Sequence, residues 1–140
     1  MDNRQPWEVF FLDIAEKVSE RATCPRASVG CVLVLDNNIL ATGYNGAPAG
    51  EPHCTDVGCF IHNDHCLRAT HAEINAIGQA AMRGIPVKGA TAYVTHEPCV
   101  HCQHALMAAG VMHITMRQGY GDLHRPEFPT LMRKISTERG

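Results

Sequence analysis

Ala90-Thr91-Ala92-Tyr93-Val94-Thr95-His96-Glu97-Pro98-Cys99-Val100-His101-Cys102, running on to Gly110 and then Val111-Met112-His113-Ile114-Thr115-Met116, is the stretch on which the fold turns. Residues 90–95 predict a strand. Pro98 opens a helix, Gly110 stops it, and residues 111–116 predict the next strand. Strand, helix and strand in that order imply a parallel, right-handed crossover. Upstream, residues 70–82 predict a helix closed by Gly84. Residues 29–35 are a near-continuous apolar run, as expected of a strand covered on both faces. Asp36-Asn37-Asn38 predicts a turn, with a partner strand over 39–44, and residues 45–66 read as a long loop, functional or pinned by a metal. Trp7, Phe10, Phe11, Ile14 and Val18 share one face of a first helix expected to end near Ala22. Residues 126–135 predict a short terminal helix. The sum is an α/β chain, a mixed sheet with helices on both faces, in one domain over residues 1–140.

Composition narrows the class. The chain has 140 residues, 45% hydrophobic and 19% charged, as in an ordinary globular domain. A net charge of −2 argues against a broad nucleic-acid surface, which would be basic. No apolar run reaches membrane-spanning length and the first residues lack a signal-peptide pattern, so a cytoplasmic protein is expected. Seven cysteines and nine histidines are many for this length. In a reducing compartment such clusters point to metal rather than disulfides. Cys31, inside the apolar run, reads as a small core residue.

His71-Ala72-Glu73 and Pro98-Cys99-x-x-Cys102 supply three zinc ligands, His71, Cys99 and Cys102, and one carboxylate left over. A structural zinc site uses four protein ligands, whereas a catalytic one uses three and keeps a place for water. All three ligands fall at predicted helix starts, where partial positive charge favours thiolate. Zinc lowers the pKa of its water toward ~7, and Glu73 would shuttle protons for the resulting hydroxide. The same residues admit plainer readings. Thr70 to Glu73 is also a capping box, Cys99 and Cys102 could be a redox pair or half a structural site, and Pro98 could merely start a helix.

This His-x-Glu and Pro-Cys-x-x-Cys pattern resembles the signature of the zinc nucleobase deaminases. Further stretches resemble the deoxycytidylate (dCMP) deaminase family in particular: residues 24–30 (Cys-Pro-Arg-Ala-Ser-Val-Gly), 42–50 (Thr-Gly-Tyr-Asn-Gly-Ala-Pro-Ala-Gly), Pro52-His53-Cys54, 71–77 and 89–95. The resemblance covers about residues 5 to 120. It implies a three-layer α/β/α cytidine-deaminase-like fold with a mixed central sheet. It implies hydrolysis of dCMP to dUMP and ammonia, with zinc on His71, Cys99 and Cys102 and proton shuttling by Glu73. It suggests substrate contacts from Asn45, which otherwise reads as an Asn-Gly turn, and from Tyr120, which otherwise reads as packing. It also implies a homo-oligomer, dimer or hexamer, and allosteric control by dCTP or dTTP with Mg2+ near residues 43–50. His104 departs from the lysine often found there, and the region after Tyr120 is short and atypical.

Four more cysteines, Cys24, Cys54, Cys59 and Cys66, are enough for a second, structural zinc of the kind some relatives carry, with His62 or His65 as substitutes for one of them. The plainer reading is a set of reduced thiols. A nucleotide phosphate needs a cationic site, and arginine grips phosphate bidentately. Arg26 is favoured over Arg68, Arg117 and Arg125 because its loop lies near the motif residues. The alternatives are another zinc deaminase (cytidine, guanine, riboflavin-pathway or tRNA adenosine), a non-catalytic zinc module, or a thiol redox protein.

Overall fold

The computed structural model describes residues 3–118 and 132–134. Its elements are α1 (Trp7–Ser19), β1 (Gly30–Leu35), β2 (Asn38–Tyr44), α2 (Cys54–Val57), β3 (Ile61–His62), β4 (His65–Cys66), α3 (Ala72–Met82), β5 (Thr91–His96), α4 (Val100–Ala108), β6 (His113–Gln118) and β7 (Met132–Lys134). The main sheet has the order β2-β1-β5-β6-β7. β1 runs antiparallel to both β2 and β5, whereas β5, β6 and β7 are mutually parallel. The mixed sheet is as expected, and so is the crossover through α4.

The apolar run becomes β1, buried along nearly its whole length because helices cover both faces. On one face, Phe11, Leu12 and Ala15 of α1 pack on Val32, Val34 and Tyr93. On the other, Ala72, Ala76 and Ala80 of α3 and Leu106 of α4 pack on Cys31, Leu33, Val94, Ile114 and Met116. Cys31 is therefore a core residue. Asp36 and Asn37 take positive φ (51° and 62°), the mirror-image turn that suits a two-residue hairpin. One extra residue in β2 then shifts the register after Leu33.

Two glycines let the layers close. A Cβ on Gly30 would collide with the backbone of Ala15 in α1, and one on Gly43 with Ala72 O and Ala76 N in α3. The start of α3 thus lies directly on β2.

Three expectations need correction. Met132–Lys134 is a strand, pairing Ile114 with Met132, and not part of a helix. Phe128, Leu131, Met132 and Ile135 have helical spacing, but the open edge of β6 offers a ladder that overrides local preference. The first helix stops at Ser19, three residues before Ala22. The long loop after Tyr44 is not bare, since α2 and the β3–β4 hairpin fold within it.

Candidate metal centre and substrate cavity

α3 and α4 both begin at the carboxyl end of the parallel strands, where α/β proteins gather ligands. His71 is the residue capping α3, Cys99 caps α4, and Cys102 lies in the first turn of α4. Thr70 does not cap the helix. It pairs instead with Gly46 as an isolated bridge, so the Thr70 capping box is not formed.

His71 Nδ1 lies 3.2 Å from Cys102 Sγ and 3.7 Å from Cys99 Sγ. All three donor atoms are within 4.8 Å of one another. Tetrahedral zinc bonds would hold such donors about 3.5–3.8 Å apart, so this set fits the ion. Hydrogen bonding to Cys102 and then to His71 draws the Cys99 thiol down to about 3, which makes it a ready thiolate. Its bond with Cys99 and its burial push Cys102 far up. The bond to Cys99 raises the His71 imidazole, against the effect of burial.

Glu73, on the first turn of α3, is only 4% exposed. Burial raises its carboxyl above the ordinary range, although its own backbone N–H, His71 and Cys102 each act to lower it. A buried carboxyl tuned upward beside three metal donors suits proton transfer near neutrality.

A cavity of about 400 Å³ opens over this cluster, lined among others by Arg26, Asn45, His71, Glu73, His96, Glu97 and Cys99. Asn45 borders it, yet both ends of its amide hold the chain: Nδ2 donates to Ala27 O at 2.7 Å, and Oδ1 accepts from Val29 N at 2.7 Å. Arg26 is exposed on the cavity wall. Arg117 faces α1 instead, 2.9 Å from Asp13 and 2.7 Å from Glu16, and Arg68 donates to Gly58 O at 3.0 Å. Tyr120 and Arg125 lie outside the described residues. Sequence reasoning passed over His96 and Glu97. Their place just before Pro98-Cys99, at the end of a strand entering the motif, was the available signal.

The second cysteine group also gathers. The sulfurs of Cys24, Cys54 and Cys59 lie within 4.8 Å of one another, and Cys66 Sγ is 3.5 Å from Cys54 Sγ. Burial and the neighbouring thiols Cys66 and Cys59 push Cys54 up to about 12. Burial opposes ionisation of Cys66 too, but backbone N–H groups of Ala69, Phe60 and Arg68 outweigh it and bring that thiol down to about 6. Backbone amides aimed at sulfur stabilise a thiolate. His62 is exposed. Cys24 and Cys66 also line the cavity, so the two sulfur groups share one void.

Similarity to known proteins follows the same residues. The family described as the cytidine and deoxycytidylate deaminase zinc-binding region matches residues 5–118. ComE operon protein 2 of Bacillus subtilis is 43% identical over 117 residues, covering 84% of this chain and 62% of that protein. The chain thus spans less than two thirds of that relative. Deoxycytidylate deaminase of Mycobacterium phage D29 is 37% identical over 120 residues, covering 78% of this chain and 92% of that one. The dCMP deaminase of cyanophage S-TIM5, solved with dCMP and dUMP, superposes with a TM-score of 0.79 at 26% identity, covering 95% of this chain and 100% of that one. With three zinc donors, a buried glutamate and this match along most of its length, the chain belongs to the cytidine and deoxycytidylate deaminase zinc-binding family.

Proposed function

We propose that residues 1–140 act as one zinc-dependent hydrolase domain that converts dCMP to dUMP and ammonia. The observation that carries this reading is the buried Glu73 carboxyl beside the His71, Cys99 and Cys102 donors, all opening on one cavity. His71, Cys99 and Cys102 would hold the zinc. When bound, zinc supplies Lewis-acid activation of water near neutral pH. Glu73 takes a proton from the attacking water and passes it to the ring nitrogen beside the amino-bearing carbon. It then relays the second proton to the departing amine. The water oxygen remains on the ring carbon and ammonia leaves, so atoms and charge balance. Arg26 and Tyr120 are the residues assigned to the nucleotide. Asn45 contributes by holding residues 27–29 against the cavity, and the side of its amide that borders the cavity can also meet the sugar.

Ammonia release from dCMP, CMP, deoxycytidine, guanine, the riboflavin-pathway pyrimidine and adenosine-containing RNA tests this. A clear preference for dCMP is expected. Preference for an unphosphorylated substrate would overturn it.

The finer assignments belong to the same proposal. Cys24, Cys54, Cys59 and Cys66 hold a second, structural zinc, supported by their gathered sulfurs. Purified protein should carry two equivalents of zinc, falling to one in Cys54→Ser. The two sites together call for six of the seven cysteines as reduced thiols, which supports a cytoplasmic setting. The residue 43–50 loop supports control by dCTP or dTTP with Mg2+ in a homo-oligomer. Turnover with and without each triphosphate, beside light scattering, checks both.

A further inference from the structure

The cavity wall holds a histidine that the chemistry above does not use. His96 ends β5, three residues before Cys99, and its half-buried ring borders the cavity with Glu73 and His71. The neighbouring hydrogen bonds locate its proton. Thr95 Oγ1 is buried, accepts from Gly30 N at 3.1 Å, and lies 2.9 Å from His96 Nδ1. A hydroxyl has one proton to give, and a buried one is seldom left unsatisfied. Among the described residues, His96 Nδ1 is the acceptor available to Thr95. Nδ1 therefore accepts, and the ring proton sits on Nε2. An accepting Nδ1 leaves the ring a single N–H, and burial also keeps the imidazole below its ordinary range, with the Glu16 carboxylate pulling the other way. No described residue takes that proton. Such a donor can approach an oxygen lone pair without placing another positive charge beside the metal donors.

We propose that His96 is a specificity-determining residue whose Nε2–H donates to an acceptor oxygen of the bound nucleotide. The inference rests on the nucleotide-deaminase reading above. The acceptor is an oxygen of the phosphate or one of the base and sugar, and the choice of substrate separates these sources.

Two amide substitutions divide the donor from the latch to Thr95. Glutamine places an N–H where Nε2 stands but withdraws the acceptor from Thr95. Asparagine keeps an acceptor near Nδ1 but removes the outward donor. In zinc-loaded protein, His96→Asn should lower kcat/KM for dCMP by about tenfold to a hundredfold, the range of a hydrogen bond to a charged or buried group. His96→Gln should recover most of that loss, and zinc content should match the wild type in both. A loss confined to dCMP and absent with deoxycytidine assigns the phosphate. An equal loss with both substrates assigns the base or sugar.

Full activity in His96→Asn overturns the proposal, and so does equal impairment of the two variants, since the donor's position would then not matter. A wild type inert toward every nucleotide sinks the deaminase reading first and takes this inference with it. A wild type active on dCMP beside an unimpaired His96→Asn sinks the inference alone.

Discussion

At the scale of single residues, the site combines groups whose ordinary behaviour has been displaced in opposite directions. Cys99 is drawn down to a thiolate, and burial raises Glu73 above the ordinary carboxyl range. Removing the Glu73 carboxyl should separate its role from metal holding. Glu73→Gln is expected to retain zinc, measured by metal analysis, and to lose about 10²–10⁴-fold in kcat, the usual weight of a positioned acid–base group. His96 gives a pH test. Its folded-state value is depressed, so the unfolded chain binds more protons just below the ordinary imidazole range. Stability from this residue is complete above that range and is lost as pH falls through it to the depressed value. Thermal melts of wild type and His96→Gln between pH 5 and about 7 should show a flatter acid slope in the variant.

Most of this site was legible in the sequence because the residue types and their spacing carry the chemistry. His71, Glu73, Cys99 and Cys102 are two short motifs at helix starts, one opened by Pro98 and the other on a helix whose end Gly84 marks. Asn45 shows the limit. Its adjacency to Gly46 could not reveal that its amide clamps Ala27 and Val29. His96 was missed because a lone histidine in a strand pattern has no motif, and its orientation depends on Thr95 and on Gly30, which lies 65 positions from Thr95.

At the scale of elements, the helices are positioned by what their neighbours omit. Gly43 leaves the space that α3 backbone fills. Gly43→Ala would push α3 from β2 and should cost about 1–3 kcal/mol, the usual toll of overpacking, read as a shift of the denaturation midpoint. Since Ala72 follows His71, weaker zinc retention should accompany it. Strands whose apolar pattern is continuous or bounded by turns, such as β1, were readable. β7 was not, because its residues have helical spacing and only the free edge of β6 recruits them. The small elements between Tyr44 and Thr70 also escaped notice. Two-residue strands carry too little pattern, and local hydrogen bonds with gathered sulfurs define them instead.

At the scale of the whole molecule, α1 is tied to the sheet by charge as well as by packing. Arg117 of β6 is nearly buried and reaches both Asp13 and Glu16 of α1. Arg117→Ala should cost about 2 kcal/mol, below the 3–5 of a fully buried pair, because both carboxylates keep some water. A urea titration would measure it. This arginine was a sequence candidate for phosphate, and only the tertiary fold shows that it points to the opposite layer from the cavity.

The bridge between Gly46 and Thr70 has a wider consequence. Asn75 Nδ2 donates to Tyr44 O, Gly46 O and Thr70 O at 2.8, 3.2 and 3.3 Å, so the chain leaves and re-enters the domain at one pinned point. Everything between those residues is an excursion whose two ends already touch. Such a loop can lengthen, shorten or change its contents over evolutionary time without dragging α3 along. A tight turn grafted in its place should leave His71, Cys99 and Cys102 gathered while stripping away Cys54, Cys59 and Cys66 and part of the cavity wall.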